Sequence, residues 1–284
     1  MRRGVTRRML TRGASKRTGG LDGDEMEARE EVGGELLKLD RVSREFGGVH
    51  AAREVSFVVR EGTALGIIGP NGAGKSTVLS MIAGSLAPSS GRILFGTSEI
   101  NGLSADAIAR RGIIRTFQVS AEFAGLTVMQ NLLVATPQQR GETVLGALLG
   151  RGYWGESESG AIDRARALLK EFGMAHVVDE YAGNLSGGQR RLLEVMRAMM
   201  AKPRVLLLDE PTAGVHPNMV GELRRQLQAL RDSGLTLVMV EHEMGIVGAL
   251  CDSVVVMARG AVIAQGSLAS VRGDARVMEA YLAG

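Results

Sequence analysis

A glycine-rich segment at residues 69–77 constrains the fold more than any other part of the chain. Its sequence is Gly-Pro-Asn-Gly-Ala-Gly-Lys-Ser-Thr, and it follows a short apolar run at residues 64–68. A strand, such a loop and a helix form a phosphate-binding unit, because the glycines let backbone N–H groups turn toward phosphate oxygens. The start of the helix adds its positive dipole. The alternative is a chance glycine-rich turn, which is disfavoured because every fixed position is filled.

The polar residues of this loop are of the kind that binds a nucleoside triphosphate. Lys75 is expected to bridge the β- and γ-phosphates, and the Ser76 hydroxyl is expected to bind Mg²⁺. The residues expected to contact the nucleotide here are Gly69, Pro70, Asn71, Gly72, Ala73, Gly74, Lys75, Ser76 and Thr77.

From Leu36 onward, short β-rich runs alternate with segments of helical periodicity. The pattern predicts strands at residues 55–59, 64–68, 92–95, 205–209, 235–241, 253–257 and 262–265. It predicts helices at residues 75–83, 128–135, 161–172, 187–200, 217–231, 244–250 and 276–282. The run 205–208 has no polar alternation, as expected of a parallel strand covered on both faces. We therefore expect an α/β fold.

Residues 118–201 carry almost no strand signal and predict a helical insertion. Within it, residues 141–160 are rich in Gly, Glu and Ser and hold the only tryptophan, Trp154. That composition predicts an exposed loop.

Basic charge is concentrated at the N-terminus. Residues 1–18 hold seven basic and no acidic residues, and without them the formal net charge falls from +3 to −4. Residues 22–35 then carry seven acidic residues against Arg29 alone. Such blocks are typical of disorder, so residues 1–34 are expected to form a disordered extension, basic and then acidic. It is either a dispensable leader, with Met26 as an alternative start, or a contact for anionic lipid or nucleic acid.

The sequence also narrows the cellular setting. Cys251 is the only cysteine, so no internal disulfide can form, and the N-terminus lacks the apolar core of a secretory signal. The longest apolar runs are far shorter than the ~20 residues needed to cross a bilayer as a helix. We therefore expect a cytosolic chain that acts on a membrane only through partner proteins.

Two acidic residues end the apolar run 205–208. Asp209 is expected at the carboxyl end of a parallel strand, where open α/β sheets bind ligands, and it could hold Mg²⁺. Glu210 would then be free to orient and deprotonate an attacking water. A solvated strand end is the alternative, and it is disfavoured because a complete phosphate loop accompanies the pair.

A second anion-binding element follows from residues 185–189, Leu-Ser-Gly-Gly-Gln. Ser186 is a natural N-cap, and the two glycines expose backbone N–H groups at the start of a helix. The element is distant along the chain from the phosphate loop. Two phosphate receptors in one chain suggest that ATP is sandwiched between two such domains.

With these motifs in this order, residues 36–284 resemble the ATP-binding cassette (ABC) ATPases. Residues 69–77 match the family's Walker A loop, 205–209 its Walker B strand and 185–189 its signature motif. The resemblance implies a P-loop NTPase domain at residues 35–284 with a RecA-like core, an antiparallel β subdomain and an α-helical subdomain inserted at about 119–201.

The same resemblance implies roles for three single residues. Gln118 matches the glutamine that senses Mg²⁺ and the γ-phosphate, His242 the switch histidine on the γ-phosphate, and Phe46 the aromatic ring that stacks on adenine. Each also has a structural alternative, as a surface glutamine, a structural histidine or a core phenylalanine.

The family pattern then assigns the remaining sites and cofactors. ATP and Mg²⁺ are the implied cofactors, with metal ligands Ser76, Gln118 and Asp209 and catalytic residues Glu210 and His242. A partner's phosphate would be contacted by Ser186, Gly187, Gly188 and Gln189. The dimer interface would include Ala213, Gly214, Val215 and His216, where His216 replaces the aspartate common in the family.

Residues 115–118, Arg-Thr-Phe-Gln, and 279–282, Glu-Ala-Tyr-Leu, most resemble ATPases of branched-chain amino acid importers. This implies two multispanning permeases, a second ATPase subunit or a second copy, and an extracytoplasmic solute-binding protein. The chain would lie peripherally on the cytoplasmic face of the inner membrane, with no nucleic acid as partner. The alternatives are the ATPase of a lipopolysaccharide-type exporter, which shares residues 213–215, and a soluble ABC protein outside transport.

Overall fold

The computed structural model describes residues 34–116, 123–137 and 151–282. Its strands and helices in chain order are β1 (Glu35–Phe46), β2 (Val49–Arg60), β3 (Ala64–Ile68), α1 (Lys75–Ile82), β4 (Ser90–Phe95), β5 (Ser98–Glu99), α2 (Ala105–Arg110), β6 (Ile113–Arg115), α3 (Val128–Val134), α4 (Arg151–Glu171), α5 (Gly187–Met200), β7 (Val205–Asp209), α6 (Pro217–Asp232), β8 (Thr236–Val240), α7 (Met244–Leu250), β9 (Ser253–Ala258), β10 (Ala261–Gly266), α8 (Leu268–Arg272) and α9 (Ala275–Leu282).

A six-stranded sheet in the order β10-β9-β3-β8-β7-β6 forms the centre of the molecule. Its strands run parallel except β10, which is antiparallel to β9. Every residue of β3, β7 and β8 is buried, because helices and the second sheet cover both faces of these apolar strands. The predicted α/β fold is confirmed.

A second sheet of four antiparallel strands, β2-β1-β4-β5, packs beside the first. Its apolar side chains share one core with α1 and the central strands, including Leu37, Val59, Ile93 and Leu79. The sequence predicted β4 and the second half of β2, whereas β1 was missed. Several register shifts in the β1–β2 pairing interrupt the alternation of buried and exposed residues that marks a strand.

The described residues between β6 and β7 form helices, two 3₁₀ turns and one isolated bridge, from Thr127 to Tyr181. Their core contains Leu132, Leu169, Phe172 and Leu193, and it also includes the buried side chains on one face of β7 and β8. Both the lack of strand signal in residues 118–201 and the family resemblance predicted a helical insertion here.

The predicted exposed loop at residues 141–160 is wrong over its second half, because α4 begins at Arg151. The buried apolar residues Ala161, Ala165 and Leu168 lie on one side of α4 and pack into the core. This packing supports a helix whose first turns, with glycines at 152 and 155, have weak propensity of their own. Residues 138–150 lie outside the described part of the chain.

Two short helices that the periodicity did not indicate begin at serine N-caps. Ser104 caps α2 by accepting from the N–H of Ala107, and Ser267 caps α8 by accepting from the N–H of Ser270. Each has six residues or fewer, too short to show a period. In the described ranges, none of the helices has both the length and the apolar character that a bilayer span requires.

Candidate active site

The phosphate loop joins the carboxyl end of β3 to the first residue of α1, Lys75. At Gly69, where φ is 144°, an added Cβ would stand 2.0 Å from the carbonyl oxygen of Met257. At Gly74, where φ is 97°, an added Cβ would stand 2.1 Å from the carbonyl oxygen of Ala51. Neighbouring backbone therefore holds the loop at both ends, and only glycine fits there.

The Lys75 side chain is buried inside this loop. Its ammonium donates to the carbonyl oxygens of Gly69 and Pro70, both at 2.8 Å. Burial lowers the pKa of Lys75, and the nearby Glu210 and Asp209 oppose that shift. A positive charge is thus held where the sequence expects the β- and γ-phosphates.

Two oxygen donors meet beside Lys75. The Ser76 hydroxyl donates to Asp209 Oδ1 at 3.2 Å, across the gap between α1 and the end of β7. A hydroxyl and a carboxylate suit Mg²⁺, which binds one or two protein oxygens together with substrate phosphates. Within the described residues no group of three or more His, Cys, Asp and Glu could enclose a metal. The third expected ligand, Gln118, lies outside the described part of the chain.

Asp209 has a second partner that the sequence analysis did not assign. Arg115, the last residue of β6, donates to Asp209 Oδ2 at 2.8 Å. The same guanidinium donates to Ser80 on α1, also at 2.8 Å. The sequence analysis named Arg115 only as part of the Arg-Thr-Phe-Gln run and predicted no contact for it. Nothing in a linear sequence shows that β6 lies beside β7.

Glu210 and His242 form a hydrogen-bonded pair. They follow the neighbouring strands β7 and β8, and His242 Nε2 lies 2.7 Å from Glu210 Oε1. Glu210 has a φ of 47°, and its N–H donates to the carbonyl of Val240. Left-handed backbone is uncommon outside glycine, and it turns Glu210 away from the line of the strand. The structure therefore places this carboxylate against the histidine, while Asp209 faces Ser76.

Glu241 supports this pair, and the sequence analysis did not assign it a role. Its buried carboxylate accepts from the Thr212 hydroxyl at 2.6 Å, from the Thr212 N–H at 3.1 Å and from the His242 N–H at 3.1 Å. It thereby ties the segment after Glu210 to His242. The available signal was a charged residue at the end of an otherwise apolar strand.

The Leu-Ser-Gly-Gly-Gln element begins α5. Ser186 and Gln189 cap the helix reciprocally, since each side chain accepts from the other residue's N–H. Ser186 and Gly187 are exposed, whereas Gly188 is buried against Met219 of α6. An exposed capped terminus is open to a ligand held by another molecule. That contact remains a prediction.

Arg191 connects this helix to the site, and the sequence analysis did not single it out. Its buried guanidinium donates to Glu194 Oε2 at 2.6 Å and to the backbone carbonyl of Glu210 at 3.4 Å. The start of α5 and the backbone that carries the Glu210 side chain are therefore linked within one chain.

The predicted dimer-interface residues lie between Glu210 and α6. Ala213, Gly214 and His216 are exposed, and Val215 is partly buried. His216 Nδ1 accepts from the N–H of Asn218 at 3.4 Å and caps α6. The histidine thus supplies an N-cap acceptor, a role that aspartate commonly fills at helix starts. An interface at this segment remains a prediction.

Phe46 is the last residue of β1. The hairpin after it leads into β2, where the carbonyl oxygen of Ala51 lies close to Gly74 of the phosphate loop. Phe46 is 47% exposed, and the Arg44 guanidinium lies 4.5 Å from the centre of its ring. The alternative that Phe46 is an ordinary core residue is therefore wrong. Stacking on adenine remains a prediction.

The C-terminal helix also reaches the phosphate loop. Burial raises the pKa of the Tyr281 hydroxyl, and the backbone N–H of Gly69 acts in the opposite direction by hydrogen bonding. Val277 of the same helix is buried. The sequence marked residues 279–282 only as a similarity, and their position beside the loop emerges from the structure.

Comparison with known proteins finds the ABC transporter family at residues 52–213. The chain is 36% identical over 248 residues to the high-affinity branched-chain amino acid transport ATP-binding protein BraF of Pseudomonas aeruginosa. The aligned region covers 87% of this chain and 97% of BraF. The corresponding Escherichia coli K12 protein, LivG, is similar to the same extent.

Solved structures resemble the fold over nearly their whole length. A nucleotide-free ATP-binding cassette from an ABC transporter has a TM-score of 0.76 and 34% identity, over 87% of this chain and 99% of that one. An ABC transporter cassette in its ADP conformation has a TM-score of 0.76 and 33% identity, over 88% of this chain and 100% of that one.

Proposed function

Because this chain belongs to the ABC transporter family, we propose that it binds and hydrolyses ATP to energise the import of branched-chain or related amino acids. The family is one of ATP hydrolases coupled to transport, and nucleotide is the ligand that its cassettes bind.

The separation of two carboxylates at the end of β7 carries the catalytic part of the proposal. Asp209 faces the Ser76 hydroxyl, while the adjacent Glu210 hydrogen-bonds to His242 at 2.7 Å. One carboxylate can serve a metal and the other a nucleophile. Glu210 is 26% exposed and His242 40% exposed, so water and a terminal phosphate can reach them.

The residues of this chain divide the work of hydrolysis. Backbone N–H groups of the phosphate loop and the Lys75 ammonium hold the phosphates. Ser76 and Asp209, together with Gln118, would hold Mg²⁺, which neutralises the charge that develops on the phosphate oxygens. Glu210 orients the attacking water and accepts its proton, while His242 fixes the carboxylate and faces the γ-phosphate. Phe46 would stack on adenine.

The exposed position of Ser186 and Gly187 supports a head-to-tail pair of ATPase subunits. ATP held by Lys75 of one subunit would receive Ser186, Gly187, Gly188 and Gln189 from the other, with residues 213–216 at the interface. Hydrolysis removes the γ-phosphate contact and lets the pair open. The second subunit is a related ATPase or another copy of this chain.

Similarity to BraF and LivG supports the importer over the lipopolysaccharide-type exporter and the soluble ABC protein. Two multispanning permeases and an extracytoplasmic solute-binding protein complete the proposed system. The cassette at residues 35–284 would sit peripherally on the cytoplasmic face of the inner membrane. Residues 1–33 lie outside the described part of the chain, and their proposed character as a charged extension rests on composition.

Exchange of Glu210 for Gln tests the chemistry. The amide keeps the size of the side chain but cannot accept the water proton, so turnover should fall roughly 10²- to 10⁴-fold. ATP-dependent association, measured by size-exclusion chromatography, should persist. Glu243→Gln is the matched control because Glu243 is an exposed carboxylate next to His242. Normal turnover in pure Glu210→Gln protein would remove Glu210 from its assigned role.

Copurification tests the transport assignment. A tagged chain expressed in its native host is extracted in mild detergent, and its partners are identified by mass spectrometry. Two different permeases with a second ATPase would support the importer. One permease type with a β-rich lipid-handling protein would point to the exporter. Ribosomal, repair or assembly proteins without any permease would contradict a transport function.

A further inference from the structure

The two terminal nitrogens of Arg115 contact two different elements next to the proposed metal ligands. Arg115 ends the edge strand β6 in register with Leu207 of β7, so its side chain extends along the carboxyl edge of the sheet toward Asp209. One terminal nitrogen donates to Asp209 Oδ2 at 2.8 Å, and the other donates to the Ser80 hydroxyl at 2.8 Å. One guanidinium therefore joins β6, β7 and α1.

The Ser80 contact leads back to the other metal ligand. Ser80 accepts from Arg115 and donates its own hydroxyl proton to the backbone carbonyl of Ser76 at 2.7 Å. Ser76 in turn donates to Asp209 Oδ1 at 3.2 Å. Arg115, Ser80, Ser76 and Asp209 thus form a closed ring of hydrogen bonds that includes both described residues proposed to bind magnesium.

The ion pair between Arg115 and Asp209 also supports a role for Arg115 at this site. The Asp209 side chain is fully buried, and Arg115 is 20% exposed. A buried carboxylate needs a charged or hydrogen-bonding partner, and Arg115 supplies one at Oδ2. Its hold on Oδ2 leaves Oδ1 directed at the Ser76 hydroxyl. We propose that Arg115 is a positioning residue for Mg²⁺: it orients Asp209 directly and Ser76 through Ser80, without touching the metal.

Arginine suits this position and lysine does not. The two terminal nitrogens of a planar guanidinium donate from separate, fixed positions, whereas all the donors of an ammonium lie on one nitrogen. Lysine at position 115 would keep the charge near Asp209 but could not reproduce the two contacts, which Arg115 makes from different nitrogens. Replacing a partner that orients a metal ligand typically weakens metal affinity 10- to 100-fold.

The test compares nucleotide affinity with and without Mg²⁺. The inference rests on the proposed magnesium-dependent hydrolysis, so all proteins carry Glu210→Gln to prevent turnover during binding. ATP affinity is titrated in excess Mg²⁺ and in EDTA for Arg115→Met, Arg115→Lys and Ser80→Ala. Arg92→Met is the matched control, because Arg92 donates to Asp40 at the same 2.8 Å on the antiparallel sheet.

We expect both Arg115 variants to weaken ATP binding roughly 10- to 100-fold in Mg²⁺. Binding in EDTA should change less than about twofold, because the described hydrogen bonds of Arg115 go to Ser80 and Asp209 and not directly to the phosphate loop, so that mainly metal affinity is altered. Ser80→Ala should show a smaller loss of the same kind, and Arg92→Met should show none. Combined with Asp209→Asn, Arg115→Met should add little, since its effect passes through that carboxylate.

Equal losses in Mg²⁺ and EDTA would show that Arg115 merely supports the fold, and no loss in either condition would also overturn the inference. If Arg115→Met does not fold, Arg115→Lys decides the matter because it retains the buried charge. ATP binding without any Mg²⁺ dependence in the Glu210→Gln parent would contradict the proposed magnesium site itself. The parent therefore separates failure of the proposed function from failure of the role of Arg115.

Discussion

Lys75 carries its charge at a site that is largely shielded from water. Two backbone carbonyls of the loop partly replace that water, and Asp209 and Glu210 lie close enough to favour the charged form. Burial still dominates and lowers the pKa of Lys75. A phosphate group would favour the ammonium more strongly than neutral carbonyls do.

The lowered pKa gives a pH-dependent prediction with opposite signs for stability and binding. Without nucleotide, stability should rise with pH between the folded-state pKa of Lys75 and its higher unfolded value, because the unfolded chain holds more protons in that window. ATP affinity should fall over the same window as the ammonium is lost. The measurements are urea unfolding and ATP titration across alkaline pH.

Lys75→Met separates this effect from other alkaline titrations. It should weaken ATP binding roughly 10- to 100-fold near neutral pH, as expected for the loss of a charged hydrogen bond. It should also flatten both pH profiles. Lys202→Met, at an exposed lysine, should leave them unchanged. Identical profiles in the parent and Lys75→Met would contradict the assignment to Lys75.

Sequence alone predicted the side chains that a motif presents locally. Lys75 and Ser76 belong to one short loop, and Asp209 and Glu210 end one strand. Arg115, Glu241 and Arg191 were not predicted to be important, because their partners lie on other elements. Arg115 meets an aspartate 94 residues away, and only the β6–β7 pairing brings the two together.

At the scale of elements, α5 and α6 meet with almost no free space. An added Cβ at Gly188 would stand 2.6 Å from the Met219 Cβ, which is fixed to the backbone of α6. At the adjacent Gly187, the nearest atom to an added Cβ is the Gly214 oxygen at 3.7 Å, an ordinary contact. The two glycines of the signature therefore differ in their structural demands.

We predict that Gly188→Ala destabilises the nucleotide-free chain by about 1–3 kcal/mol, the usual cost of overpacking. Gly187→Ala should change the free energy of unfolding by less than about 0.5 kcal/mol. Urea unfolding of both variants measures the difference. Equal effects would show that the contact between α5 and α6 adjusts freely at Gly188.

The elements were predicted where their periodicity is clean and missed where contacts with other elements decide. β7 and α5 have bounds identical to the predicted ones, because an uninterrupted apolar run and a capped amphipathic pattern identify them. β1 was missed because its bulges break the alternation, and α4 includes residues 151–160, whose Gly, Glu and Ser content predicted a loop.

At the scale of the molecule, the proposed ATP contacts belong to two groups of elements within one chain. Lys75, Asp209, Glu210 and His242 gather at the carboxyl ends of β3, β7 and β8. Ser186 lies at the exposed start of α5, and its described capping contacts are with Gln189. In the proposed dimer, each chain therefore supplies half of two composite sites.

Ser186→Asp tests this arrangement without disturbing the helix. Aspartate is as good an N-cap as serine, so stability without nucleotide should change by less than about 0.5 kcal/mol. Its negative charge would face the partner's γ-phosphate, and ATP-dependent association should be lost in the Glu210→Gln parent. Size-exclusion chromatography measures this, with the chain alone or with a copurified second ATPase. Undiminished association would place Ser186 outside the interface.

The fold class and the order of motifs were predictable from the sequence, because each motif brings its own strand or helix. The packing of the antiparallel sheet against the central one was implied only by the family resemblance. The position of α9 beside the phosphate loop, where both line one cavity, was not predicted, since the two segments share no local pattern. Long-range placement of this kind depends on how whole layers pack.

Close packing limits the freedom of the phosphate loop. Lys75 hydrogen-bonds to the first two residues of the loop, and the carbonyl groups of Met257 and Ala51 pack closely against Gly69 and Gly74. Conformational entropy that a flexible loop would lose on binding is therefore lost during folding instead. An incoming triphosphate needs only to exchange hydrogen-bond partners. Its association rate should reflect diffusion and charge, with no slow ordering step at the loop.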